Sequence, residues 1–515
     1  MPLTSRRRLA VLATVCLAVF AIDLDITIVN VALPSLSRQL GAGTSTLQWV
    51  VDGYSLAFAA LVLTAGSLGD RFGRRPVLVT GLLGFAAASA LAGVVHHAGA
   101  LVVLRFVMGA FDALVYPTTL SVIISAYPGR AERARAIGVW GAVTGLGVAV
   151  GPVTGGLLLA HFWYGSVFWA LVPAALIAAI AAMLIVPESR QPGAARIDLP
   201  GLLVSSAAIG LLVYTIIEAP DRGWGAASSI AGFVGTALLG TAFVVVERHT
   251  AEPMLDVTLF KAPAFSAASG SVTIAFFALL GFIFLITQYF QFIRGYGALS
   301  TGVRILPVAL SIAAGSAAGA SLAVRIGTRA VVTCGLIVFG LVFAWIAGSP
   351  VTEPYPQIAA QMVLMGAALG LISTPATESI LSVLPPARAG TGSAVNDATR
   401  EAGGALGVAV IGSVFSSTYL HKLATTPMLA LPAPAYAAAR SSVAAALGIA
   451  RHDPDSSALT QDVTASFMAG LHVACGVIAL VCWAGAVAAL RLPGRQPEIS
   501  RVPGSRPGFS GTRLT

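Results

Sequence analysis

The sequence predicts an all-α protein that crosses a membrane many times, built as two six-helix halves with two further helices inserted between them. Three observations predict this class. The chain is 57% hydrophobic and only 10% charged over 515 residues, its apolar residues fall into separate runs of roughly 20, and three short sequences recur in the same order. A soluble fold has too little interior for this many apolar residues, so a soluble globular protein is excluded.

Fourteen apolar runs are long enough to span a bilayer as helices. The first run is longer than the core of a typical signal peptide, so no cleavable signal is predicted. The predicted spans cover residues 9–33, 47–69, 76–95, 100–126, 135–160, 166–186, 200–218, 226–246, 264–293, 302–325, 330–348, 357–384, 397–420 and 467–490.

The 30 Lys and Arg residues are distributed unevenly between the two ends of these spans. With the N-terminus on the cytoplasmic side, 21 of them fall in cytoplasmic segments and 6 in outer segments. Arg105, Arg304 and Arg400 lie within or at the ends of apolar runs. Because cytoplasmic loops are enriched in Lys and Arg, we predict a multi-pass cell membrane protein with both termini in the cytoplasm. This placement also argues against a nucleic-acid partner, despite the net charge of +9.

Internal repetition predicts the arrangement of the spans. LGDRFGRR at 68–75 recurs as LAVRIGTR at 322–329, Met108-Gly109-Ala110 recurs as Met365-Gly366-Ala367, and LGVAV at 146–150 recurs at 406–410. Such parallel halves are typical of transporters with a substrate path between them. We therefore predict a first half at 1–190, inserted spans 7 and 8 at 191–262, a second half at 263–490 and a flexible cytoplasmic tail at 491–515. Residues 421–466 are predicted to form a long outer loop with room for a short helix.

A glycine-rich, charged stretch, GSLGDRFGRR at 66–75, separates the second and third spans. Two interpretations are open. It is either a solvated turn whose charges set the topology or a gate in which Asp70 bonds across the cytoplasmic side. The copy in the second half has Val324 in place of Asp70, which favours the gate. The candidate gating residues are Gly66, Asp70, Arg71, Gly73 and Arg74.

These motifs resemble the major facilitator superfamily and, within it, the fourteen-helix drug:proton antiporters of the EmrB/QacA type. The resemblance rests on LDITIVNVALP at 24–34, GSLGDRFGRR at 66–75, GVAVGPVTGG at 147–156 and GSAVNDATREAGGALGVAV at 392–410. It implies the superfamily fold, export of hydrophobic compounds and an antiporter motif in the fifth span. That motif falls on Gly147, Gly151, Pro152, Gly155 and Gly156. The fourth span keeps Arg105 and Gly109 of the family pattern but departs from it at Met108, Phe111 and Asp112.

Charged side chains inside the predicted spans are the candidate functional residues, because each costs about 2.5–3.5 kcal/mol at a helix centre. Asp25 and Asp23 lie 200° apart around the first helix and cannot face the same cavity, and the resemblance selects Asp25. Arg105 and Asp112 lie about 10.5 Å apart along one helix face, so each is predicted to have another partner. The structural alternative for Asp25 is a hydrogen bond that ties the first helix to a neighbour.

Asp52 lies near the outer end of the second span. The resemblance implies a coupling or gating role for it, and the alternative is an interfacial acid that favours the helix dipole. In the second half, Glu378 follows Pro375 within an apolar run and either faces the path or does not. Asp397, Arg400 and Glu401 share a helix face, which predicts an Asp397–Arg400 pair and either a cytoplasmic ion cluster or coupling acids.

The predicted function is proton-coupled export of hydrophobic drugs by alternating access, with Asp112 favouring cations. The alternative is a dedicated exporter of one endogenous metabolite or antibiotic. The small residues of spans 5 and 13 predict that these two helices meet where the halves rock. The predicted partners are the drug, protons and lipid, and the protein is expected to act as a monomer. No enzyme activity is predicted, since no nucleophile/base pair, metal cluster or phosphate-binding loop is found, and no metal, cofactor or disulfide is predicted.

Overall fold

The computed structural model describes residues 4–127, 130–189, 198–250, 253, 255, 257–382, 389–452 and 456–492. The described residues form a bundle of α-helices. Their bounds are α1 Ser5–Leu40, α2 Thr44–Phe72, α3 Arg74–Ala92, α4 Ala98–Ala126, α5 Arg130–His161, α6 Ser166–Trp169, α7 Leu171–Ile185, α8 Leu199–Arg222, α9 Ala227–His249, α10 Pro263–Gln288, α11 Ala298–Ile326, α12 Thr328–Ala347, α13 Tyr355–Ser382, α14 Ala389–Leu423, α15 Ala433–Ser441, α16 Val443–His452 and α17 Ser456–Ala489. A short π-helical turn, Tyr289–Ile293, continues α10.

Each predicted span falls on one of these helices, with α6 and α7 together forming the sixth. Thirteen spans of the described residues are long and apolar enough to cross a membrane. The remaining predicted span corresponds to α2, which has 29 residues and packs against α4 and α14. Several helices extend past their apolar cores, since α1 ends at Leu40 and α17 begins at Ser456. Polar residues at a helix end keep the backbone hydrogen bonds of the helix and so lengthen it beyond the apolar run.

The two halves repeat the same backbone packing. Gly73 ends α2 and starts α3, and Gly327 does the same between α11 and α12, with φ of 103° and 90° respectively. Only glycine adopts this conformation without strain. A Cβ at Gly109 of α4 would overlap the Tyr54 carbonyl oxygen of α2, and a Cβ at Gly366 would overlap the Val308 carbonyl oxygen in the same way. The internal sequence repeat is therefore also a structural repeat.

Two seams join the halves, α5 against α11 and α2 against α14. The predicted contact between the two glycine-rich helices is wrong. Gly151 and Gly155 pack α5 against α1 of the same half, and Gly403 and Gly407 pack α14 against α10. The physical reason is the approximate two-fold relation between the halves, which places the fifth helix of each half against the second helix of the other.

The halves touch at one end of the bundle and separate toward the other. We call the end that contains the α1–α2 turn at Gly41 the Gly41 end, and the end that contains the α2–α3 turn the Gly73 end. Near the Gly41 end a Cβ at Gly156 would lie 2.5 Å from Leu299 Cα of α11. Farther along the same face of α5, Cβ atoms at Gly145 and Gly138 would meet no atom of the described residues within 4 Å. The space between the halves therefore opens at the Gly73 end.

Further contacts close the Gly41 end. Gln291 Nε2 donates to the Val31 carbonyl oxygen at 2.9 Å, from the second half to the first. The segment predicted as an outer loop forms α15 and α16, and Ser442 between them lies 3.0 Å from Ser37, hydroxyl to hydroxyl. This segment thereby covers the junction of the two halves.

The inserted helices lie beside the α2–α14 seam. Val213 and Ile217 of α8 pack with Leu56 of α2 and Ala405 of α14 in one apolar cluster. Ser413 Oγ of α14 donates to the Ile216 carbonyl oxygen at 2.7 Å. α8 therefore covers this seam, while α9 packs mainly on α8.

Candidate functional site

The centre of the first half is a buried ion pair. Arg105 Nη1 of α4 lies 2.6 Å from Asp25 Oδ2 of α1, with 2% of the Arg105 side chain and none of the Asp25 side chain exposed. Arg105 Nε also donates to the Val50 carbonyl oxygen of α2 at 2.9 Å. The prediction that Arg105 has a partner other than Asp112 is confirmed. This pair, buried inside the bundle, ties α1, α2 and α4 together.

A tyrosine links this pair to the second predicted acid. The Arg105 guanidinium lies 4.3 Å from the ring centroid of Tyr54, within the range of a cation–π interaction. The Tyr54 hydroxyl donates to Asp112 Oδ2 at 2.5 Å. Asp112 is 1% exposed, and its other carboxylate oxygen has no hydrogen-bond partner among the described residues. A continuous path of polar contacts thus runs from Asp25 to Asp112.

A second acidic group lies where α1 faces α14. Asp23 lies beside Gly147 of α5 and within electrostatic range of Asp397, Arg400 and Glu401 of α14. Glu401 lies beside the Ser55 hydroxyl of α2. Asp112 lies within electrostatic range of both Asp23 and Glu401, so its charge couples the two groups without a direct contact between the side chains.

We refer to this connected set as the acidic centre. It consists of five carboxylates and two guanidinium groups: Asp23, Asp25, Asp112, Asp397, Glu401, Arg105 and Arg400. With all of them ionised, carboxylates exceed guanidinium groups by three. One oxygen each of Asp23, Asp25, Asp112 and Glu401 is buried without a hydrogen-bond partner in the described part of the chain. Since a buried, uncompensated charge is costly, a proton or a bound cation stabilises this centre.

Asp52 stands apart from the acidic centre. It is fully buried, and neither of its carboxylate oxygens has a hydrogen-bond partner within the described residues. Gln48, one turn before it on α2, donates to the Ala409 carbonyl oxygen of α14 at 3.0 Å. Asp52 therefore lies on the α2 face that packs against the second half. The alternative, an interfacial acid that favours the dipole of α2, does not explain why Asp52 is fully buried.

Two details of the second half differ from expectation. The guanidinium of Arg400 is not within 4 Å of the Asp397 carboxylate; it lies 4.7 Å from the ring centroid of Phe276. The predicted Asp397–Arg400 pair is therefore wrong at contact distance, because the aromatic ring holds the guanidinium away from the shared helix face. Glu378 is exposed near the Gly73 end of α13, and within the described part of the chain no hydrogen bond or ion pair links it to the acidic centre.

The gating motif lies at the Gly73 end. Arg74 Nη1 donates to the Ser121 carbonyl oxygen of α4 at 2.9 Å, and the Arg71 guanidinium lies over the Phe72 ring. Gly66 and Asp70 lie on α2, but their side-chain positions fall outside the described residues. The gate therefore stays a prediction.

The antiporter motif holds α5 against two partners. Gly147, Gly151 and Gly155 contact Asp23, Thr27 and Ile28 of α1, respectively. Gly156 contacts Leu299, and the Pro152 carbonyl oxygen faces Gly302 of α11. The motif therefore positions Asp23 on one side and forms the seam between the halves on the other.

Sequence reasoning missed Asp23 and Tyr54. The resemblance selects Asp25 over Asp23, although the 200° separation around the helix allows the two acids to face two different groups of residues. Tyr54 follows Asp52 by two residues in a polar interruption of an apolar run, and this was the available signal for it. No cluster of metal-ligating side chains is found among the residues that the structure describes.

Comparison with known proteins agrees with this architecture. Residues 15–408 match the model of the Major Facilitator Superfamily. The multidrug efflux pump LfrA of Mycolicibacterium smegmatis is 32% identical and covers 94% of this chain and 96% of its own. The multidrug resistance protein Stp of Mycobacterium tuberculosis is 35% identical over 80% of this chain and 77% of its own. The tetracenomycin C resistance and export protein of Streptomyces glaucescens is 31% identical over 79% and 76%.

A solved structure shares the fold at low sequence identity. The crystal structure of a bacterial homologue of the human lysosomal transporter Spinster, in an inward-facing and occupied conformation, matches with a TM-score of 0.68 and 16% identity. The match covers 95% of this chain and 98% of that one. Sequence and fold lead to the same family. This chain belongs to the Major Facilitator Superfamily and is a membrane transporter, not an enzyme.

Proposed function

We propose that the protein exports hydrophobic cations from the cell in exchange for protons. The observation that carries this proposal is the acidic centre, where carboxylates exceed guanidinium groups by three and four carboxylates have a buried oxygen without a partner. A cation compensates this charge, and protons do the same when the cation leaves. The relatives named for multidrug efflux and for antibiotic resistance support export as the direction.

The two parts of the centre have different roles in this mechanism. Arg105 already neutralises Asp25 at 2.6 Å, so that pair holds the fold of the first half. Asp112 and Glu401, from opposite halves, each keep a buried oxygen free and together bind the cation. Asp23 stands beside them on α1. Because the carboxylates come from both halves, the affinity for the cation depends on how the halves are placed relative to each other.

Asp52 is the proton carrier of this proposal. Both of its oxygens are buried without partners on the α2 face at the seam with the second half, so a proton on the carboxyl group stabilises the state closed at the Gly41 end. Separation of α2 from α14 at the Gly41 end would expose Asp52 to the outside, where its carboxyl group takes up a proton. Closure of that end then carries the proton inward, and it leaves through the Gly73 end. One proton moving inward supplies about 2.3 kcal/mol per 100 mV and about 1.4 kcal/mol per pH unit.

The membrane arrangement is also part of the proposal. α2 serves as the fourteenth span beside the thirteen apolar ones. The Gly73 end faces the cytoplasm because the predicted cytoplasmic segments contain 21 of the 30 Lys and Arg residues. Both chain termini then lie inside, and the structure is open toward the cytoplasm.

A second candidate is a dedicated exporter of one antibiotic. Two relatives favour it, because the tetracenomycin C and puromycin resistance proteins are each named for a single compound. A resistance profile across unrelated dyes and antibiotics separates the candidates. Broad protection supports the multidrug pump, and protection against one compound supports the dedicated exporter.

Efflux of a fluorescent lipophilic cation from cells, with and without a proton uncoupler, tests the proposal. We expect uncoupler-sensitive efflux for the wild type and at least a tenfold loss for Asp112→Asn, because a neutral amide no longer compensates the cation. Asp221→Asn, at an exposed acid at the end of α8, is the matched control and should retain efflux. Uncoupler-insensitive efflux by the wild type would refute proton coupling. Full activity of Asp112→Asn would refute its role as the cation site.

A further inference from the structure

A cleft of about 710 Å³ lies on the α5–α11 seam at the Gly41 end. The first half contributes Ser35 and Arg38 of α1 and Leu159 of α5, and the second half contributes Ser300 and Arg304 of α11. The acidic centre and the proposed export mechanism use none of these residues. The cleft is therefore a separate feature that only the two halves together form.

Two guanidinium groups line the cleft without a counter-charge. The Arg304 guanidinium lies between two rings, 4.1 Å from the centroid of Tyr296 and 5.2 Å from that of Tyr355. Its Nη1 donates to Ser300, and its buried Nε has no partner among the described residues. Arg38 Nη2 donates to Ser35 Oγ at 3.3 Å. Within the described chain, no carboxylate lies within 4 Å of either guanidinium.

Other arginines at the same end are engaged or lie outside the cleft. Arg222 pairs with Glu218 at 3.2 Å. Arg294 donates to the carbonyl oxygens of Val351 and Glu353. Arg440 is exposed on α15, where its guanidinium lies over the Tyr436 ring. Arg38 and Arg304 are thus distinguished by facing one shared cleft, where an anion would satisfy both.

The surroundings of the cleft favour an amphiphile over a free ion. On the two helices that form the cleft, Leu157 of α5 and Val303 and Leu310 of α11 are 51%, 47% and 67% exposed. Arg38 lies in the last turn of α1 and Arg304 in the second turn of α11. The charges therefore lie at the end of the spans, at headgroup depth, with an apolar helix surface along the bilayer below them.

The other seam lacks such a site. There α8 covers the junction, with Ser45 Oγ of α2 donating to Glu218 at 3.4 Å and Ser413 of α14 donating to the Ile216 carbonyl oxygen. Among the described residues, neither inserted helix covers the α5–α11 seam, so this side of the junction is open to lipid. This asymmetry gives the cleft a position that a lipid molecule can occupy.

We propose that the cleft binds the phosphate of an anionic phospholipid, with Arg38 and Arg304 as ligands from opposite halves. The lipid bridges the halves when the Gly41 end is closed. Opening of that end separates the two arginines, so the lipid stabilises the closed state. The anionic lipid content of the membrane then regulates how readily the transporter opens.

Thermal unfolding of the purified full-length protein in detergent, titrated with short-chain phosphatidylglycerol, tests the proposal. We expect the wild-type Tm to rise by about 2 °C or more at saturation. Arg38→Gln/Arg304→Gln should lose the rise, and Arg440→Gln should keep it. Short-chain phosphatidylcholine and inorganic phosphate at the same concentrations should have no effect.

The outcomes decide between the sources of the anion. An equal rise in Tm with inorganic phosphate would overturn the proposal of a lipid ligand and indicate a site for a free anion. An equal rise with phosphatidylcholine would show that the headgroup charge is irrelevant, and a full rise in the double variant would exclude the arginines. If the double variant does not fold, the single variant Arg38→Gln replaces it, because Arg38 is exposed and its substitution should not disturb folding. An undiminished rise in Tm for Arg38→Gln would overturn the proposal, and a reduced rise would support it.

Discussion

The two halves of the molecule share their packing but differ in their chemistry. A Cβ at Gly81 would contact Val115, Phe111 and Leu114, and a Cβ at Gly335 would contact the equivalent residues of α13, namely Ile372, Ala368 and Leu371. Yet the repeat places Met362 at the position of Arg105, Leu369 at that of Asp112 and Val308 at that of Tyr54. All three replacements are buried. The duplication thus provides the same backbone packing in both halves, and at these three positions only the first half has polar or charged side chains.

The second half places its acids elsewhere. Asp397 and Glu401 lie on α14, and the equivalent positions of α5 are Ile137 and Gly141. The first half therefore contributes acids to the acidic centre from α1 and α4, while the second half contributes them from its fifth helix. Because the acidic centre has charges from both halves, the distances between these charges change when the halves move.

The largest expected effect comes from making the first half resemble the second at its ion pair. Arg105→Met introduces the residue found at 362 and leaves Asp25 buried without its partner, which costs about 3–5 kcal/mol. We expect loss of transport and a strong fall in thermal stability, measured by efflux and by unfolding in detergent. Asp25→Asn/Arg105→Met should recover stability, because no isolated charge remains, and should not recover transport.

Two results would contradict this account of the pair. If Arg105→Met transports at the wild-type rate, the pair has no role in function. If the double variant is as unstable as Arg105→Met alone, the loss of stability comes from lost packing of the long arginine side chain and not from an unpaired carboxylate.

A second test asks whether the packing of the halves is as equal as the structure indicates. Gly109→Ala and Gly366→Ala each place a methyl group against a backbone carbonyl of the neighbouring helix, and forced helix shifts of this kind cost about 1–3 kcal/mol. We expect similar falls in Tm for both. Gly141→Ala, where a Cβ meets nothing within 4 Å, is the matched control and should cause no fall. Falls in Tm that differ severalfold between Gly109→Ala and Gly366→Ala would show that the helices of the two halves are not packed equivalently.

The sequence predicted the frame far better than the site. Apolar runs and the repeat identified the helices and their order, because hydrophobic length and duplication are local properties of the chain. The Asp25–Arg105 pair joins residues 80 positions apart, so only the existence of a partner for Arg105 was predictable. The Arg400–Phe276 contact depends on how α10 and α14 pack, which no local pattern contains.

The smallest expected effect concerns the seams, where the same repeat places Gln48 in one half and Gly302 in the other. Gln48 Nε2 donates to the Val408 and Ala409 carbonyl oxygens of α14 at 3.2 and 3.0 Å, whereas Gly302 meets Pro152 of α5 by backbone contact. Gln48→Ala should therefore weaken closure of the Gly41 end by about 1 kcal/mol, or roughly fivefold in population.

The rate of disulfide formation between cysteines introduced at Ser37 and Ser442, with the exposed Cys334 replaced by Ser, measures closure. Gln361→Ala is the matched control, because Gln361 donates to Ser349 and Glu353, both in its own half. Equal cross-linking rates for Gln48→Ala and the control would mean that backbone contacts alone keep both seams closed.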